Sequence, residues 1–212
     1  MNSDNSHKIA ANLLQINAIK LQPANPFTWS SGWKSPIYCD NRKILSYPEI
    51  RNSVSESIGV AIQSVFGKPD LIAGVATGAI AHGVLAADKL KLPFIYVRQD
   101  LKAHGMKNII EGELPKGKKV VVIEDLISTG KSSLSAVNAI RQAGGIVSGL
   151  VAIFTYGFPE AEKAFREAGC RFTSLCDYQA LIKTALDAGY ITRTELQILI
   201  KWRENPAEWK PY

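Results

Sequence analysis

The chain has 212 residues, 46% of them hydrophobic and 21% charged, with a formal net charge of +6 and three cysteines. That length supports one well-buried domain with an appendage, and no apolar run approaches the roughly 20 residues of a bilayer span, which excludes a membrane-embedded class. Cys39, Cys170 and Cys176 make neither a C-x-x-C nor a disulfide framework, MNSDNSHK is no signal peptide, and Lys and Arg form no basic stripe, so the expectation is a cytoplasmic enzyme that binds neither membrane nor nucleic acid.

In chain order, Ile9, Leu13, Leu14 and Ile16 recur at helical spacing and predict an amphipathic helix over 9–19. Residues 25–40, NPFTWSSGWKSPIYCD, read as a loop or short hairpin. A helix follows over 48–66, then a strand over 70–75. A small-residue loop, 74–83, leads into a helix ending near 90, and 92–97 is an apolar strand. Residues 98–112 read as a long exposed loop. A strand over 120–123 runs into Glu124-Asp125, a polar turn follows at 128–130, and the next helix ends near 144. Beyond it come a strand (146–155), a helix (159–168), a strand (171–175) and helices over 180–188 and 194–203. The last is opened by Thr192-x-x-Glu195, a capping-box pattern. This alternation predicts an α/β fold with a central, mainly parallel sheet flanked by helices.

The stretch 119–133, KVVVIEDLISTGKSS, carries the most chemistry. A loop whose backbone N–H groups open a helix is a natural phosphate cradle. Carboxylates beside it suit a sugar phosphate, because they accept hydrogen bonds from ribose hydroxyls. Gly130-Lys131-Ser132 looks like the end of a Walker A loop, but that motif requires glycine where Asp125 stands. An ordinary strand–turn–helix is the plainer alternative. Gly74, Ala76, Thr77 and Gly78 leave amides unshielded for a second anion such as pyrophosphate, with close packing as the competing reading. Arg98, Lys102, His104 and Lys107 are either a solvated loop or cations that close over a leaving pyrophosphate. Trp29, Trp33 and Tyr38 either cover a flat polar ring or anchor a flap to the core.

VVVIEDLISTG resembles the signature with which type I phosphoribosyltransferases bind 5-phosphoribosyl 1-pyrophosphate (PRPP). Together with PFTWSSGWKSPIYCDNR and VRQDLKAHG it resembles the orotate branch of that family, over about residues 26–178. The resemblance implies a single domain with the type I phosphoribosyltransferase fold: a small hood, from about 1–40 plus the C-terminal helices, on a core of about 45–178. It implies transfer of the phosphoribosyl group to orotate, with Mg²⁺ held mainly through PRPP rather than by a direct protein site. Ser128, Thr129 and Gly130, with amides through Lys131 and Ser132, would hold the 5-phosphate. Leu126 and Ile127 belong to the same PRPP-binding segment. Glu124 and Asp125 would bind the ribose hydroxyls, Asp125 also having an electrostatic or base role. Arg98, Lys102 and His104 would close over pyrophosphate, Lys102 with the largest effect on turnover. Ser128 and Tyr38 would touch orotate. The loop is expected to reach a neighbouring subunit's site, which implies a homodimer with shared active sites. Ser30, Gly78, Gln99 and Tyr156 depart from the better-known bacterial pattern. The alternatives are transfer to another nucleobase, against which the hood sequence speaks, and a PRPP-sensing RNA-binding regulator, which scattered charge disfavours.

Overall fold

A computed structural model describes residues 3–29, 32–98 and 109–211, so the expectations for Ser30, Gln99, Lys102 and His104 fall outside the described residues. Helix α1 (Ser3–Gln15) buries Ile9, Ala10, Leu13 and Leu14 along one face. It starts earlier and stops sooner than the predicted 9–19. Asn17 takes a left-handed conformation (φ 52°), which Asn tolerates better than most residues, and Ile19 then opens a strand. Strand β1 (Ile19–Leu21) pairs with β4 (Ile37–Cys39), and between them β2 (Phe27–Thr28) and β3 (Lys34–Ser35) make a hairpin. Asp40 caps a 3-10 helix, Asn41–Ser46, which leads into α2 (Pro48–Phe66).

The layered part follows as β5 (Leu71–Val75), α3 (Ile80–Leu90), β6 (Phe94–Val97), β7 (Ile110–Glu111), β8 (Lys119–Ile127), α4 (Lys131–Gln142), β9 (Ile146–Thr155), α5 (Pro159–Glu167) and β10 (Phe172–Asp177). Helices α6 (Tyr178–Asp187) and α7 (Arg193–Glu204) end the fold. Six strands form one sheet in the order β10-β9-β8-β5-β6-β7, parallel except for β7. The β7 strand went unpredicted because two residues inside a polar stretch leave no periodicity to read. The acid pair also sits differently from the expectation. Glu124 lies within β8, opposite Ala152 of β9, and pairing continues to Ile127.

Both faces of the sheet are covered, which explains why β8 reads as an unbroken apolar run. Val121 and Ile123 pack into the cluster built with α1, α2, α6 and α7, whereas Val120 and Val122 join the one built with α4 and α5. From the β5–β8 pair the chain departs in opposite directions, toward β6 on one side and β9 on the other. Such a reversal leaves a crevice at the carboxyl ends of the strands, where open α/β sheets bind ligands.

Candidate active site

Two loops and two helix starts meet at that crevice. Neither α3 nor α4 carries a side-chain cap; their N-cap positions are Ala79 and Gly130. Apart from the Ile80 N–H, which donates to the Thr77 carbonyl at 3.3 Å, first-turn amides at both helices have no intrahelical acceptor, and the helix dipoles favour an anion there. Gly130 adopts φ 79°, and a Cβ there would stand 2.8 Å from Phe165 Cε2, so this turn requires glycine. The readings of the 74–83 loop divide by residue. Gly74 and Gly83 back onto Phe94 and serve packing, whereas Gly78 presses its Cα against the Asp125 carboxylate, where a Cβ would overlap it.

The two acids have different surroundings. Glu124 is 4% exposed, accepts a hydrogen bond from Ser133 Oγ at 2.8 Å (Oε2) and another from the Asp125 N–H at 3.1 Å (Oε1). Burial, and then the charge of Asp125, push its pKa well above the usual carboxylate range, against the pull of Ser133. Asp125 is half-buried at the wall of a cavity of about 310 Å³ shared with Asp40, Arg42, Thr77, Gly78, Glu124 and Ser132. Its backbone carbonyl accepts 2.6 Å from the Nδ2 of buried Asn41. His82, 1% exposed, sits behind this group. Burial lowers its pKa, opposed by the charge of Asp125 and a hydrogen bond to the Asn41 backbone, so its neutral form is favoured. Arg42 Nε donates to Asp40 Oδ1 at 2.6 Å and holds that carboxyl below the usual range.

A second cavity of about 570 Å³ adjoins the first, with Cys39 and Leu126 on the boundary of both. Its walls are largely aromatic: Trp29, Trp33, Tyr38 and Tyr156, with Thr28, Ser128 and Thr129 supplying hydroxyls. Trp29 stacks on Trp33 with centroids 6.3 Å apart and meets Tyr156 at 5.3 Å, while its indole N–H donates to the Ile37 carbonyl. Trp29 therefore anchors the hairpin, as the packing reading expects, and also lines the cavity. The Cys39 thiol stays protonated, its pKa raised by burial and by Asp125 and Asp40.

Of the residues singled out from the sequence, Tyr38, Glu124, Asp125, Leu126, Ser128, Thr129 and Ser132 line these cavities, and Gly130 and Lys131 open α4. Ile127 points its side chain into the core, and its carbonyl accepts from the Tyr156 N–H. Arg98 lines neither cavity; its guanidinium pairs with Glu111 at 3.4 Å. Sequence reasoning missed Cys39, Asn41, Arg42 and His82. The first three stand in the hood stretch and its continuation, but a buried amide next to an ion pair gives no periodic signal. Nothing local marks His82.

A phosphoribosyl transferase domain model matches residues 41–180. The chain is 59% identical over 201 residues to orotate phosphoribosyltransferase of Phocaeicola vulgatus, covering 95% of each. Among solved structures it is similar to orotate phosphoribosyltransferase from Aeropyrum pernix (TM-score 0.75, 26% identity, 87% of this chain and 99% of that one). It is also similar to Leishmania donovani UMP synthase (TM-score 0.81, 27% identity), covering 94% of this chain and 42% of that one.

Proposed function

The chain belongs to the phosphoribosyl transferase family, and on that premise we propose that it transfers the 5-phosphoribosyl group of PRPP to orotate, releasing pyrophosphate and forming orotidine 5′-monophosphate in pyrimidine synthesis. One observation carries the reading: an acid-lined cavity between two uncapped helix starts adjoins an aromatic slot, and the two share the wall made by Leu126 and Cys39. In this proposal the ribose and pyrophosphate occupy the first, a flat ring lies among the aromatic side chains of the second, and the 5-phosphate sits at the Ser128–Thr129 edge, with the anomeric carbon near the shared wall.

In this reading the N–H groups that open α4, with Ser128 and Thr129, hold the 5-phosphate, and the turn at Thr77-Gly78 takes pyrophosphate, the Ala76 and Ala79 N–H groups already donating to the Val97 and Val75 carbonyls. Asp125 accepts from a ribose hydroxyl and stabilises positive charge that develops on the sugar ring. Glu124, buried and tied to Ser133 and the Asp125 N–H, fixes the neighbouring backbone. Arg98, Lys102 and His104 close over the leaving group and exclude water. The donor set fits a magnesium ion carried by the substrate. Of the carboxylates lining the acid cavity, Asp40 is paired with Arg42 and Glu124 is buried, which leaves Asp125 available. Asp125 would meet the shell of a bound Mg²⁺, which would supply positive charge to the departing pyrophosphate.

A homodimer in which the part of the 98–112 stretch that precedes β7 crosses to the partner's site completes the proposal. A reducing cytoplasm suits the three free thiols; among the described residues no helix is long and apolar enough to cross a membrane. The test is Mg²⁺-dependent loss of orotate absorbance in the presence of PRPP, run beside adenine, guanine and uracil. Consumption of orotate alone is expected; turnover of a purine with orotate untouched would reject the substrate.

A further inference from the structure

Two consecutive side chains of α7 hold opposite walls of the aromatic cavity. Trp202 is fully buried and donates its indole N–H to the Lys34 carbonyl at 3.2 Å, on the β3 arm of the hairpin that carries Trp29 and Trp33. Arg203 donates from Nε to the Tyr156 carbonyl at 2.9 Å and from Nη2 to the Gly157 carbonyl at 2.6 Å. Those carbonyls lie just past the end of β9, where the strand ladder no longer supplies donors. A planar guanidinium presents two N–H groups in a fixed fork, and a lysine ammonium cannot bridge two successive carbonyls in that way. Between the walls, the Trp202 ring sits 5.7 Å from Trp29 and 5.8 Å from Tyr156, edge-on to both. Neither Trp202 nor Arg203 lines the aromatic cavity itself. The acid cavity is built from the loop after β5, the end of β8 and the first turn of α4, with Cys39, Asp40 and Arg42, and takes no residue from α7.

We propose that Trp202 and Arg203 are positioning residues that set the width of the ring slot, so that α7 governs affinity for the base and leaves PRPP handling to the sheet loops. This rests on the reading that orotate occupies the aromatic cavity. Trp202 ties the hairpin wall, Arg203 ties the Tyr156 wall, and loss of either tie lets its wall drift from the other.

Steady-state kinetics with each substrate varied in turn tests the clamp in Arg203→Ala, Arg203→Lys and Trp202→Phe, the last keeping a ring and losing the N–H. The KM for orotate is expected to rise about tenfold in Arg203→Ala and about threefold in the two conservative variants, with the KM for PRPP held within about twofold. Should Arg203→Ala fail to fold, the conservative pair carries the test. Parallel increases in both KM values would mean general loosening and overturn the proposal, as would an unchanged orotate KM in folded variants. A parent enzyme that used another base and ignored orotate would overturn the substrate reading instead, and the same split measured with that base would then decide the clamp.

Discussion

Gly78 and Asp125 occupy space that only a hydrogen at the former position leaves free. A methyl group at Gly78 would displace the carboxylate from the position it holds at the cavity wall. Gly78→Ala is therefore expected to lower kcat/KM for PRPP by about tenfold or more, with an unaltered circular dichroism spectrum; full activity would show that the carboxylate can relocate harmlessly. Glu124 gives a second expectation. Above the ordinary carboxylate range the unfolded chain has released this proton while the folded chain still holds it, so the folded state loses stability as pH rises through the elevated value. Glu124→Gln should flatten that decline, giving a variant whose stability relative to the parent improves from pH 5 to pH 8 in urea melts. Sequence reading picked out the acid pair as chemically important because two carboxylates after an apolar strand are conspicuous. It gave both acids the ribose hydroxyls and Asp125 alone a further electrostatic role, by resemblance; that Glu124 is buried against Ser133 was not legible, because that contact depends on how α4 folds back over β8.

At the scale of elements, the long strands and helices were legible because each buries a repeating face. Strand β9 matches its expected span, and the Thr192–Glu195 capping box forms as read, with the Thr192 hydroxyl accepting from the Glu195 N–H and the Glu195 carboxylate accepting from the Thr192 N–H. Thr192→Ala should cost about 1 kcal/mol, a fall of roughly 2–4 °C in Tm for a chain of this size, readable by calorimetry. The hood was read only as a loop or hairpin. Its strands run two or three residues each and are held by contacts with distant parts of the chain, Trp202 and Tyr156 among them. The β1–β4 pairing joins residues some 20 positions apart with no shared pattern, so no local rule reveals it.

For the whole molecule, the expectation to test is a site shared between two subunits. Homodimers of Lys102→Ala and of Asp125→Asn should each be nearly inactive, and a refolded mixture should recover about a quarter of parental activity if the loop of one subunit serves the acids of the other. No recovery from a mixture shown to exchange subunits would confine each site to a single chain. The placement of the α7 clamp has a further consequence, for the order in which the protein matures. Among the described residues every strand of the sheet has been synthesised before residue 193 is added, whereas the wall ties at 202 and 203 come after it. A chain still emerging from the ribosome can thus assemble its phosphate-gripping half while its base slot stays unfastened. If the clamp acts as proposed, competence toward the nucleobase follows only once α7 has left the exit tunnel and docked.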